Sequence, residues 1–146
     1  MRALQRQPDA PRFLHDAMVE EIADRLSFMR FEPATALVIG DVHNALDEHL
    51  AGTAITHLDP TRLDEEAPLP GGPYDLIVSL GLLDTVNDLP GALVHMRHAL
   101  KPGGIAIAIL NAAGSLAPLR AAMLAAEPDR PAPRMHPMVD GRGAST

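Results

Sequence analysis

The sequence predicts an α/β fold built on a parallel sheet, and three observations carry that expectation. Short continuous apolar runs, Ala36-Leu37-Val38-Ile39 and Leu76-Ile77-Val78, read as strands buried on both faces. Amphipathic stretches with apolar residues at helical spacing stand before and between such runs. Strands that alternate with helices give a parallel sheet with right-handed crossovers. The 146 residues and 15.6 kDa suit a single domain. At this size folding buries roughly two-thirds of the unfolded surface, so a core forms without metal or disulfide staples.

The first element is a helix over residues 11–31. Leu14, Met18, Ile22, Leu26 and Met29 form its stripe, with Glu20, Glu21, Asp24 and Arg25 between them. Pro11 suits its first turn and Pro33 ends the pattern. A strand through Ile39 follows and closes on Gly40, after which Asp41 or Asn44 is placed to cap a helix running to Leu50, stopped by Gly52. Ala54 to Leu58 is the second strand, ending at Asp59-Pro60. Thr61 to Pro73, acidic and then rich in Pro and Gly, reads as loop. Tyr74 to Gly81 is the third strand. Leu89, Leu93, Met96 and Leu100 mark another helix, with Pro90 tolerated in its first turn. Lys101-Pro102-Gly103-Gly104 reads as a helix stop and turn. Ile105 to Leu110 is the fourth strand, isoleucines on one face and alanines on the other, and Ser115 opens a last helix to about Ala126. Residues 1–126 thus make one domain. From Pro128 onward four prolines and two glycines accompany few large apolar residues, so 127–146 reads as a weakly ordered tail.

Composition narrows the function classes. With no cysteine, disulfide frameworks, thiolate metal sites and a cysteine nucleophile are excluded. Twelve Lys plus Arg stand against 19 Asp plus Glu, a net charge of −7, and Lys101 is the lone lysine. An acidic chain without a basic tract is a poor partner for nucleic acid or an anionic membrane. No apolar run approaches the ~20 residues of a bilayer span. The start, MRALQRQPDAPR, has no apolar core behind its basic residues and does not read as a signal peptide. The expectation is a soluble cytoplasmic protein.

In parallel α/β sheets, ligands sit at the carboxyl ends of the strands, near the switch in strand order. Gly40 lets a ligand approach the backbone there, beside the free amides of a helix start. Asp59, at the tip of the second strand, is placed to accept from two ribose hydroxyls. Asp64, Glu65 and Glu66 offer an acceptor for an exocyclic amine. Together they suggest an adenosine-type ligand, and this requires Gly40 and Asp59 to converge on one nucleoside. A plain turn glycine, a solvated strand-end aspartate and a solvated acidic turn remain the alternatives for these residues. Val42 and Asn44 replace the further glycines of a dinucleotide loop, which counts against NAD.

The stretch Tyr74-Asp75-Leu76-Ile77-Val78-Ser79, Val86-Asn87-Asp88-Leu89-Pro90-Gly91-Ala92-Leu93 and Leu100-Lys101-Pro102-Gly103-Gly104 resembles the fourth strand, helix and fifth strand of class I S-adenosylmethionine-dependent methyltransferases. VNDLPGAL is similar to the subgroup of biotin-pathway malonyl-carrier-protein methyltransferases and mitochondrial complex I assembly methyltransferase-like proteins. Phe13-Leu14-His15 and Gly114-Ser115-Leu116-Ala117-Pro118-Leu119-Arg120 resemble that subgroup's flanking segments. The resemblance implies a Rossmann-like fold binding S-adenosyl-L-methionine and transferring its methyl group to a small-molecule or protein acceptor. By position it sets Gly40 beneath the methionine part, Asp59 at the ribose hydroxyls and Asp64 at the adenine amine. Ser79, Leu80 and Gly81 would line the cofactor near the sulfonium.

Several features depart from the family pattern. The glycine-rich first loop is reduced to Gly40-Asp41-Val42-His43-Asn44, and Asp84-Thr85 stands where close relatives carry His-Trp. Asp59 to Tyr74 is too short for a helix, strand and helix, so the third strand is missing or vestigial. The sixth and seventh strands should follow residue 126, yet the chain stops at Thr146, as a fragment or a shortened member would. These departures motivate the alternative of a degenerate methyltransferase-like interaction or assembly factor, recruiting a protein partner or a second copy at the open edge of the fifth family strand. No metal is expected: His95 and His98 lie three apart without further ligands and read as a solvated helix face. His43, in the loop where the cofactor would sit, has either a surface or capping role or a catalytic one. Asp84 is either a general base or a loop cap, and no catalytic residue is assigned.

Overall fold

Runs that are apolar at every position need cover on both sides, and in the computed structural model they receive it. The structure describes residues 12–61, 63–64, 67–112 and 114–126. Helix α1 (Phe13–Met29) leads into strand β1 (Thr35–Ile39), a single 3-10 turn (Ala45–His49) and β2 (Ala54–Leu58). Then come β3 (Tyr74–Leu80), a short 3-10 turn (Leu83–Thr85), α2 (Leu89–His98), β4 (Leu100–Ile109) and α3 (Ala117–Ala126). The four strands form one all-parallel sheet in the order β2-β1-β3-β4. Among the described residues no strand lies between Leu58 and Tyr74 and none follows Ile109. None of the helices there is long and apolar enough to cross a membrane. Residues 127–146, read above as a tail, lie outside the described residues.

The layers follow from the two-residue alternation of side chains along a strand. On one face Met18, Val19, Ile22 and Leu26 of α1 pack over Ala36, Val38, Leu76, Val78 and Leu80. Leu46 and Leu50, from the β1–β2 crossover, complete that cluster. On the other face Ala92, Met96 and Ala99 cover Leu37, Ile39 and Ile77. Leu63 and Leu69 of the β2–β3 crossover pack against this second cluster. The two crossovers therefore pass on opposite faces of the sheet. Among its described residues the β2–β3 return carries no helix or strand, in keeping with the short spacing from Asp59 to Tyr74.

Three local expectations are corrected. The segment after Gly40 forms one 3-10 turn instead of an α-helix. Asp41 is its cap, accepting from the Leu46 amide at 2.8 Å, while Asn44 lies in the left-handed region at φ 53° with no capping bond. Lys101 to Gly104 are incorporated into β4, whose pairing jumps from Tyr74↔Leu100 to Leu76↔Ile105; the turn is a bulge inside the strand. Ser115 does not open α3; its hydroxyl accepts from the Ala112 amide at 3.1 Å, and the helix starts at Ala117. By contrast, Asp88 does cap α2, accepting from the Gly91 amide at 2.9 Å.

The amino ends of three strands are clamped by one carboxylate. Asp75 of β3 accepts from the Thr35 amide at 2.8 Å, the Thr35 hydroxyl at 2.9 Å and Lys101 Nζ at 2.9 Å. These contacts, the Lys101 ammonium first, hold the Asp75 carboxyl down to about 2 from its ordinary 3.8. A depressed carboxylate contributes stability in full above its unfolded pKa and loses it as pH falls through the folded one. Urea melts from about pH 5 down to about pH 2 should therefore show a steeper loss for the wild type than for Asp75→Asn. Parallel curves would show that the clamp contributes nothing.

Candidate functional site

Register brings the strand tips into line. Ile39 sits beside Leu58 on one side and Ser79 on the other, and Leu80 sits beside Ile109. The residues just beyond, Asp59, Gly40, Gly81 and Leu110, are therefore neighbours along one edge of the sheet. The chain moves outward from β1 to β2 and then returns to β3 on the far side, so the switch in strand order falls between Gly40 and Gly81.

Gly40 is confined by its surroundings. Its φ is +92°, and a Cβ built on it would lie 2.6 Å from the Leu80 carbonyl oxygen. Gly81, at φ +63°, donates its amide to the Ile109 carbonyl at 2.7 Å. Two glycines thus flank the switch, both buried, with the Leu80 carbonyl filling the space where a Gly40 side chain would stand. Asp59 is exposed at the tip of β2, and its Oδ1 accepts from both the Thr61 amide and the Thr61 hydroxyl at 2.8 Å. This turn fixes the direction of the carboxylate.

The remaining predicted residues are placed differently. Ser79 and Leu80 are buried at 2 % and 3 % exposure, Leu80 in the core beneath α1, so neither side chain faces the tip. Asp64 is exposed in the β2–β3 crossover, its carbonyl accepting from the Ala67 amide at 3.1 Å. Glu65 and Glu66 lie outside the described residues.

Two constellations emerge only in three dimensions. The Asp41 side chain is wholly buried beneath the first loop, and besides Leu46 it meets His15 Nε2 at 3.0 Å. The His15 ring stands edge-on to His43, centroids 5.4 Å apart. The first turn of α1 is thereby laid against the loop after β1. The second constellation lies beyond β3 and β4, where Asn111 Nδ2 donates to Asp84 Oδ2 at 2.8 Å. Among the described residues no three histidine, aspartate or glutamate side chains gather as a metal site. Asp41 was visible as a cap; His15 as its partner was not, because 26 positions separate them and only the packing of α1 joins them.

Comparison with known families decides the relationship. A family model described as a methyltransferase domain matches residues 15–137. The chain belongs to the methyltransferase-domain family. Within this family it is 28 % identical over 148 aligned positions to the arginine-hydroxylase NDUFAF5, mitochondrial, of Rattus norvegicus, covering 86 % of this chain and 43 % of the relative. The Mus musculus protein of the same name gives the same identity and coverage. The Homo sapiens protein is 40 % identical over 68 positions, 46 % of this chain and 20 % of the relative. The methyltransferase-domain chain thus spans under half the length of these curated relatives. Among solved structures it is similar to the N-methyltransferase NodS from Bradyrhizobium japonicum WM9, in complex with S-adenosyl-L-homocysteine. That likeness has a TM-score of 0.57 and 19 % identity over 73 % of this chain and 69 % of the other, and it shows the shared Rossmann-like fold.

Proposed function

We propose that this methyltransferase-domain chain binds S-adenosyl-L-methionine at the carboxyl edge of its sheet and presents it to a small-molecule or protein methyl acceptor. The observation that carries the reading is the adjacency of the Gly40–Gly81 switch to the oriented Asp59 carboxylate. That donor set fits the cofactor. The exposed Asp59 carboxylate, one strand from the switch, is an acceptor for ribose hydroxyls. The NodS structure, with S-adenosyl-L-homocysteine bound, is a member of the same fold. Asp64, on the neighbouring crossover, is assigned to the adenine amine, while Ser79, Leu80 and Gly81 contribute main chain near the sulfonium. The bound cofactor would supply an electrophilic methyl group with its own leaving group, so the chain's task is alignment of the acceptor.

Calorimetric titration with S-adenosyl-L-methionine, S-adenosyl-L-homocysteine and NAD tests the proposal. Saturable binding of the first two is expected, weakened by Asp59→Ala by about tenfold or more, the value of hydrogen bonds to a charged group. Tight binding of NAD alone, or no heat with any ligand, would refute it. NAD is disfavoured because Val42 puts an exposed side chain where a dinucleotide loop needs glycine.

A second reading, an interaction or assembly factor that has lost transfer activity, has its own support. Among the described residues β4 is paired on one side only, and an open parallel edge can recruit a strand from a partner or a second copy. The curated relatives are named for hydroxylation of arginine rather than for methyl transfer. A flat titration together with self-association or partner capture would favour this reading. Cytoplasmic location stays part of the proposal on composition, whereas the relatives are mitochondrial by name.

A further inference from the structure

We propose that Asp84, held in place by Asn111, is the acceptor-recognition residue of this chain and that it takes a cationic group bearing N–H, an amine or a guanidinium. The role as acceptor rests on the methyltransferase reading above; the cation site itself stands on the geometry alone.

Asp84 lies on the 3-10 turn three residues beyond Gly81, and Asn111 lies two residues beyond the end of β4. Because all strands are parallel, both belong to the carboxyl edge that carries Gly40 and Asp59. They stand on the opposite side of the switch from Asp59, with Gly40 and Gly81 between the two carboxylates. The Asn111 side-chain amide donates to Asp84 Oδ2 at 2.8 Å and so sets the rotation of the carboxylate. The turn beneath is itself tied down, the Thr85 amide and hydroxyl both meeting the Leu82 carbonyl, at 3.1 and 2.9 Å.

The second carboxylate oxygen is the anomaly. Oδ1 is shielded from solvent and has no hydrogen-bond partner among the described residues. Leaving a buried acceptor unsatisfied is costly, more so for a charged group, so such atoms call for an explanation. An ionised carboxylate has only lone pairs to offer, and its missing partner must be a donor. A cationic donor satisfies it best, since it also neutralises the charge that Asn111 leaves in place. Screening from bulk water strengthens that contact, and Asp84 itself is part-exposed beside exposed Thr85.

The side-chain amide signal of Asn111 reports the site directly by NMR. The intact chain is titrated with methylammonium and methylguanidinium, and with tetramethylammonium as a cation that has no N–H. At least one of the first two should shift the Asn111 signal saturably, and tetramethylammonium should not. Asp84→Asn, which keeps the shape and can still accept from Asn111, should weaken half-saturation by about tenfold or more, as loss of a charged hydrogen bond does. Thermal melting of the variant separates loss of the site from loss of the fold. Should Asp84→Asn fail to fold, Asn111→Ala is the second variant, expected to weaken the same cations read through the Asp84 backbone amide. Equal response to tetramethylammonium, no response to any cation, or undiminished binding in the variants would overturn the proposal. Repeating the titration with S-adenosyl-L-homocysteine separates the two readings. Cation binding in a chain that ignores this nucleoside would sink the methyltransferase reading, and with it the acceptor role, while leaving the cation site standing.

Discussion

Gly40→Ala should lower the stability of the chain by about 2–6 kcal/mol and abolish ligand binding at the sheet edge. Two separate penalties add at this residue. The backbone sits at φ +92°, where an L side chain costs about 1–3 kcal/mol. The new methyl group would also lie 2.6 Å from the Leu80 carbonyl oxygen and 3.4 Å from the Leu80 Cβ. The oxygen belongs to the main chain of a buried central strand, so relief requires the tips of β1 and β3 to separate, and overpacking of that kind costs roughly 1–3 kcal/mol. Gly103→Ala is the internal control, because its φ is +80° but nothing lies within 4 Å of the added methyl. It should cost only the backbone part, about 1–3 kcal/mol. Urea melts of the two variants separate the penalties. Equal losses would mean that the Gly40–Leu80 approach is soft and that the switch does not require a bare residue.

Ile22→Ala should cost about 2–5 kcal/mol, as removal of a fully enclosed aliphatic side chain does. Ile22 is 0 % exposed at the middle of α1 and shares its cluster with Ala36, Val38, Leu76 and Val78. The slightly better helix propensity of alanine, a few tenths of a kcal/mol, offsets little of this. Phe28→Ala, on the same helix but 91 % exposed, should stay within about 0.5 kcal/mol. A single cooperative urea transition, shifted strongly by the first substitution and hardly by the second, is the expected result. If the two behaved alike, α1 would be an appendage rather than a layer of the domain, and the His15–Asp41 contact would lose its support.

The elements that were legible in the sequence share a physical cause. Where one face or both faces of a segment must be buried, period and composition record the burial, as in the Met18–Ile22–Leu26 stripe and in β1 and β3. The edge strand β2 was legible from its flanking Gly52 and Asp59-Pro60. Less legible were segments whose form depends on what they touch. The turn after Gly40 became 3-10 because Asp41, pinned under α1, accepts from Leu46 and shortens the helix to one turn. The Lys101–Gly104 turn joined β4 because Lys101 reaches back to Asp75 and Thr35, holding the strand's start against β3.

The site divides along the same line. Sequence alone determined the class of fold and the candidate tips, Gly40, Asp59 and Gly81, since glycine and acidic residues at strand ends are local signals tied to backbone freedom and exposed charge. Tertiary structure alone decided that Ser79 and Leu80 turn their side chains into the core, that His15 reaches Asp41, and that Asp84 and Asn111 meet with one oxygen left unmatched. Those outcomes depend on contacts 26 or more positions apart, and a chain records such contacts only once its strands have come into register.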